Sequence, residues 1–420
     1  MSLYGVRPSA ERTIFHLSAM LSGNDEKIDA FIEWIQQQQV STDCVDLKFN
    51  AEIGGNGIYA KKDLRSGEVL LELPVDVLIT SSTAMDHPEC SAMIRGANVK
   101  LSPSEAIALL FIVEDKKSDS FYAPYFAMLP RTFNTPLFQG IDIELNELPR
   151  VERATWVRQQ KEITALYDKI PKIRPGTTKE EMLWAWHVVN TRCIFVENLG
   201  VHEELDNSEG DKVAVIPFVD MLNHSPDPSC EAKLRKAGDI YEVVSHKSIA
   251  EGSEIFVTYG YHTNVKLWME YGFQLPGNLM NKIDISLDLF IALVQKCSMT
   301  LHPEIVQILN NADLLCTIYA SDDDLSCGFK TSIRILFLRM QEFHKWNRVV
   351  YDEEVDDDIN EKISDLCRKM IHTLRHHLVK RRDDVSEAVK FAWQDQIDIL
   401  DAILETKEHH YLQSNCAADK

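Results

Sequence analysis

At 420 residues the chain is too long for one ordinary hydrophobic core, so two or three domains are expected. Its composition, 45% hydrophobic and 26% charged, is that of a water-soluble globular protein, and no apolar run approaches the ~18 residues that cross a bilayer. The net charge of −21 argues against direct nucleic-acid binding, which needs a basic face; it suits a partner rich in Lys and Arg, with solubility alone as the plainer reading.

The first residues, from Met1 to Arg7, lack the apolar core of a signal peptide, so an intracellular protein is expected, in the nucleus and/or the cytoplasm. The 9 cysteines include no Cys-x-x-Cys pair, which leaves free thiols in a reducing compartment and no zinc ribbon.

In chain order, Ile28, Phe31, Ile32 and Ile35 predict an amphipathic helix over 24–39. Alternation predicts a strand over 45–50, and Pro74 separates two further strands, 68–73 and 75–80. Helical spacing then takes over at 104–114, 149–170 and 178–196; Thr178 with Glu181 is a capping-box pair. A polar loop spans 198–212. Strands return at 241–246 and 255–259. Beyond Pro276 the pattern is helical, clearest at 287–297, 329–343, 359–380 and 385–404, with an acidic loop at 352–358 and a helix-end basic cluster at 380–382. The fold class expected is α+β. A helical segment occupies 1–44. A β-rich domain occupies 45–275, split by a helical insertion at about 82–210, and an all-α C-terminal domain occupies 276–420.

Gly55, Gly57 and Ala60 fit the spacing of a dinucleotide fingerprint, but that fingerprint needs a helix directly afterwards, and here Gly67 and a β-like run follow. A glycine turn between strands remains, as does a loop whose bare backbone lies against a ligand. Further on, an apolar run from Val213 ends in Asp220, Asn223, His224 and Ser225, and a second from Ile255 ends in Tyr259 and Gly260. The two ends are expected to meet and build one site. Each motif has a plainer reading: a buried Asn and His at a strand end, and a core tyrosine with its hydroxyl paired. His224 and Asp220 lack the further ligands a metal would need, so no metal is expected.

Taken in order, Gly-x-Gly, Asn-His-Ser, Thr-Tyr-Gly and Tyr271-Gly-Phe273 resemble the SET-domain protein methyltransferases. The helical insertion and helical C-terminal region are similar to the branch that includes the plant Rubisco large-subunit lysine methyltransferase. Residues 183–192 and 220–226 are most similar to the SET domain-containing protein 4 type of that branch. The resemblance implies a split β-rich SET fold and S-adenosylmethionine as cofactor. It implies that Gly54, Gly55 and Asn56 offer backbone to that cofactor. Most relatives carry a glutamate and a bulky apolar residue where this chain has Gly54 and Asn56. It further implies that Arg192 lies near the cofactor carboxylate and that Asp220, Asn223 and His224 belong to the cofactor site. Tyr259 is implied as the catalytic tyrosine, also at the cofactor, and Tyr271 and Phe273 as closing the pocket. The activity implied is protein-lysine N-methylation of a Lys-rich segment such as a histone tail. Protein-histidine methylation and a non-catalytic binding module remain alternatives. Cys193 and Ile194 after Arg192, and Val219 before Asp220, depart from the histidine-modifying pattern.

Overall fold

The computed structural model describes residues 10–50, 54–196, 200, 202–207, 212–235, 237–312, 314, 316–319, 325–347 and 357–405. The chain forms two compact units, Met1–Asn134 with Gln160–Gly260, and Thr135–Gln159 with Tyr261–Lys420.

The first unit opens with helix α1 (Ala10–Gln37), longer than the spacing of its apolar residues predicts. Ile28, Phe31, Trp34 and Ile35 are buried, one face of a 3.6-residue period, and the Phe31 ring packs on those of Trp34, Tyr125 and Phe218. Strands β1 (Val45–Asn50) and β2 (Gly55–Ala60) form an antiparallel hairpin from Val45↔Ala60 to Asn50↔Gly55. The glycine cluster is therefore a turn followed by a strand, with no helix after it, as the rejection of a dinucleotide site requires. Strand β3 (Val69–Pro74) borders a three-stranded antiparallel sheet whose other members are residues 230–234 and 240–245.

Residues 75–80 correct the expected strand. Val75–Val77 form a 3₁₀ turn, and only Ile79 makes a bridge, to Val215. Val77, Leu78 and Ile79 are buried all the same. An apolar run records burial, and here tertiary packing met that need without a ladder.

The helices of this unit are α2 (Ser81–Asp86), α3 (Pro88–Gly96), α4 (Pro103–Glu114), α5 (Ala123–Phe126), α6 (Arg153–Ile173) and α7 (Lys179–Arg192); the first residues of α6 belong to the second unit. Helix α4 starts at a Ser102/Glu105 capping box with Pro103 in its first turn, and nearly all of it is buried. Phe111 on α4 meets Phe126 and Trp184 at ring-centroid distances of 5.0 and 6.3 Å. The Thr178/Glu181 capping box opens α7 as the spacing predicts. The helix stops at Arg192, short of the expected 196, because Cys193–Phe195 leave it as strand β4 and pair with β5 (Val213–Val215). Of the loop expected at 198–212, residues 198, 199, 201 and 208–211 lie outside the described residues.

His187 sits in the buried heart of α7, its ring tilted against that of Phe133, with Nδ1 2.7 Å from the Leu183 carbonyl. Burial pushes its pKa down from 6.5 to about 4. Between those values the unfolded chain binds a proton that the folded chain refuses. The stabilisation is thus complete above pH ~6.5 and is lost as the pH falls towards ~4, a difference of about 3 kcal/mol. Urea midpoints of the wild type should therefore drop more steeply across that window than those of His187→Gln; parallel curves would contradict it.

The remaining strands of the first unit are β6 (Asn223–His224), β7 (Cys230–Leu234), β8 (Ile240–Ser245) and β9 (Phe256–Val257). The sheet order is β3-β8-β7.

The second unit is mainly helical: α8 (Asn264–Tyr271), α9 (Leu287–Lys296), α10 (Pro303–Ala312), α11 (Cys327–Leu336), α12 (Asp357–Asp383) and α13 (Lys390–Glu405). The region expected to be all-α also holds a ribbon of β10 (Lys282–Ile285) and β11 (Cys316–Tyr319), each of only four residues. The helix expected at 329–343 is divided into α11 and a 3₁₀ segment, Met340–Lys345. Residues 352–356 of the expected acidic loop lie outside the described residues, while Asp357 and Asp358 open α12. Phe290, Phe329, Ile333, Met370 and Leu400 anchor the core of this unit.

Candidate active site

The two apolar runs singled out in the sequence do meet. Strand β6 pairs in parallel with β9, Asn223 opposite Phe256 and His224 opposite Val257. The Ser225 amide donates to the Val257 carbonyl (2.9 Å), and the Ser229 amide to that of Phe256 (2.9 Å). Just upstream, Phe218 is fully buried with φ of +78°, a conformation costly for a bulky side chain. It turns the chain after Pro217 into the 3₁₀ turn Val219–Met221, which aims Asp220 inward.

Tyr259 is fixed at both ends by the first run. Its amide donates to His224 Nδ1 (3.1 Å), its ring stacks on the His224 imidazole (5.2 Å, 27°), and its hydroxyl donates to the Leu222 carbonyl (2.8 Å). Because Nδ1 accepts the Tyr259 amide hydrogen bond, a neutral His224 carries its proton on Nε2. Gly260 follows with φ of +123°, backbone that an L side chain rarely adopts.

Arg192 and Asp220 form a buried pair. Arg192 Nη1 donates to Asp220 Oδ2 (2.9 Å) and to the Asp220 carbonyl (3.1 Å), and the Tyr125 hydroxyl donates to the same Oδ2 (2.7 Å). The Asp220 side chain is fully buried, whereas 17% of the Arg192 side chain remains exposed. Burial lifts the Asp220 carboxyl above its usual range, against the pull of the guanidinium, and burial beside Asp220 holds the Tyr125 hydroxyl far above its own. Arg192 Nε and Asp220 Oδ1 are buried and have no hydrogen-bond partner among the described residues. Arg192 is thus oriented by a carboxylate that sits beneath it.

At the hairpin, Gly54 takes φ of +67°, and a Cβ added to Gly54 or Gly55 would meet nothing within 4 Å. Backbone there is open to an incoming group. Gly57 is the reverse, since a Cβ would come within 2.5 Å of Glu254 Oε1. Asn56 enters the site through its carbonyl, which accepts from Asn223 Nδ2 (3.0 Å). The same Nδ2 donates to Glu254 Oε1 (2.6 Å), and the Tyr59 hydroxyl donates to Glu254 Oε2 (3.2 Å). Asn223 and Glu254 therefore clamp the glycine strand to the Asn-His segment.

The structure brings Gly54, Gly55, Asn56, Arg192, Asp220, Asn223, His224 and Tyr259 into the first unit, linked as described. Tyr271 and Phe273 fall in the second unit. There Tyr271 ends α8, stacks on His262 (6.5 Å) and lies 6.2 Å from the Phe273 ring; burial pushes its hydroxyl pKa up to about 12. Sequence reasoning missed Glu254, Tyr125 and the Leu222 carbonyl. Among the described residues no group of three or more His, Cys, Asp or Glu could hold a metal ion, and no helix is long and apolar enough to cross a membrane.

Comparison with known proteins places this geometry. The SET domain family model matches residues 55–260, from the first residue of β2 to the glycine after Tyr259. SET domain-containing protein 4 of Mus musculus is 25% identical over 414 residues, covering 93% of this chain and 92% of that protein. The ribosomal lysine N-methyltransferase set11 of Schizosaccharomyces pombe is 29% identical over 272 residues, 64% of this chain and 66% of that one. Among solved structures, the SET domain of LSMT bound to lysine and AdoHcy superposes with a TM-score of 0.54 at 18% identity, covering 90% of each chain. The chain therefore carries a SET domain over residues 55–260, the domain its motifs resemble, and is similar along most of its length to SET domain-containing protein 4.

Proposed function

We propose that this chain is an S-adenosylmethionine-dependent protein-lysine N-methyltransferase acting on a basic protein segment. The observation that carries the reading is the crossing of 222–225 with 256–259, which seats Tyr259 against His224 and Leu222 and sets both beside the Arg192–Asp220 pair.

The residues present fit the cofactor. Bound S-adenosylmethionine supplies an activated methyl on a sulfonium sulfur. Arg192, held on one edge by Asp220 and still partly exposed, suits its carboxylate. Gly54 and Gly55 give unobstructed backbone on the same unit, and Asn223 keeps that strand in register through the Asn56 carbonyl.

The reacting amine needs a free lone pair, and a lysine amine in water is protonated up to pH ~10.4. Desolvation and a neighbouring cation both favour the neutral form. The Tyr259 hydroxyl donates its hydrogen bond to the Leu222 carbonyl, so towards a substrate its oxygen can act only as an acceptor. It would accept an N–H of the incoming amine and so turn the amine lone pair towards the transferable methyl. Positioning of this kind can supply several kcal/mol of a barrier. Support for a Lys-rich segment such as a histone tail is the net charge of −21, which steers basic partners towards the protein.

The test is incubation with methyl-labelled S-adenosylmethionine and either core histones or a whole-cell protein extract. Label in protein is the expected result. An unlabelled extract, together with no cofactor binding by calorimetry, would replace this reading with a binding module on a SET fold.

A further inference from the structure

A cleft of about 530 Å³ in the second unit has an unusual lining for so acidic a chain: Lys296, His372, Thr373, His376, His377 and Lys380. Lys296 comes from the last turn of α9. The others come from α12, where 372, 376 and 380 repeat every four residues and 373 and 377 fall beside them. The two lysines and three histidines are all exposed, and no carboxylate lines the cleft. Near the cleft, Asp365 and Asp383 of α12 pair with Lys369 and Arg382, and Asp401 of α13 pairs with Arg375. The Thr373 hydroxyl donates a hydrogen bond to the Lys369 carbonyl (2.7 Å), so it serves as wall. Partial burial, then the positive charges of Lys296, Arg381, Lys380 and His376, hold the His377 pKa below its usual value. Lys296 alone could be explained as a cation at a helix C-terminus. That does not account for Lys380 or for three histidines turned to the same space.

We propose that this cleft binds a phosphate group, as a free anion or as the phosphomonoester of a phosphorylated protein segment. Two ammonium groups and the imidazole N–H donors supply charge and hydrogen bonds from two directions, the requirement of a tetrahedral oxyanion. In a chain of net charge −21, a concave positive spot is also where an anion would be drawn. The lining shares no residue with the group proposed for methyl transfer, and the proposal does not depend on that reading.

The experiment uses the full chain and a fluorescein-labelled phosphoserine peptide, read by anisotropy, with the serine peptide as control and inorganic phosphate as competitor. Binding of the phosphopeptide at least tenfold tighter than the serine peptide, reversed by phosphate and weakened by added salt, is expected. Lys296→Gln/Lys380→Gln should reduce it at least tenfold with an unchanged melting curve, and Lys296→Arg/Lys380→Arg should restore most of it. Peptide binding tighter than that of phosphate assigns the site to a protein-borne group, and equal affinities to the free anion. Equal binding of the two peptides, or wild-type binding by the glutamine variant, would overturn the proposal.

Discussion

Tyr259→Phe is expected to lower turnover by roughly a hundredfold or more, the scale seen when one aligned hydrogen-bonding group is removed from a reacting centre. The same change frees the Leu222 carbonyl, at a cost of about 1 kcal/mol. The ring, its stacking on His224 and the amide bond to Nδ1 all survive, so the fold and the cofactor affinity should be kept. A variant with near-normal turnover would make Tyr259 a structural tyrosine only. Loss of cofactor binding in step with turnover would mean the same.

The second large effect is expected at Asp220, and it is one of stability. Asp220→Ala removes the buried acceptor of two donors, Arg192 Nη1 and the Tyr125 hydroxyl. Leaving a mostly buried guanidinium without its carboxylate costs about 3–5 kcal/mol, and for a unit of this size that lowers Tm by roughly 10 °C. Asp220→Asn keeps an acceptor oxygen and should lose less. Scanning calorimetry decides it. A shift below about 2 °C for Asp220→Ala would show that the pair contributes nothing net.

These residues were legible in the sequence because they are strand ends carrying polar groups after apolar runs. Asp220, Asn223 and His224 stand where a buried run stops and Tyr259 where a half-buried one does, and the parallel pairing of β6 with β9 brings the ends together. The partners that complete the site were not legible. Glu254 lies in a polar turn after Gly252, and nothing local tells it from a solvated glutamate; its meaning comes from Asn223 and Tyr59, 31 and 195 residues away. Tyr125 sits on the four-residue helix α5 and reaches Asp220 across 95 residues of chain. The Leu222 carbonyl has no side-chain signature at all.

The fold shows the same division. Helical periodicity placed α4, and periodicity with the Thr178/Glu181 capping box placed α7, because caps and apolar spacing are local properties. Strands of three or four residues, β4, β10 and β11, depend on a partner distant in sequence and carry too little alternation to be seen. The run 75–80 looked like a strand for the converse reason: its side chains are buried, but its backbone found other bonds, including Val75 N–H to the Asp239 carbonyl (3.1 Å).

The most direct test of the proposed activity is the identity of the modified amino acid. Protein labelled from methyl-labelled S-adenosylmethionine is hydrolysed in acid, and the label is assigned by amino-acid analysis, with Tyr259→Phe run in parallel. Label in methyl-lysine, strongly reduced in the variant, is the predicted result. Label in methyl-histidine, or the same methyl-lysine yield from the variant, would contradict it.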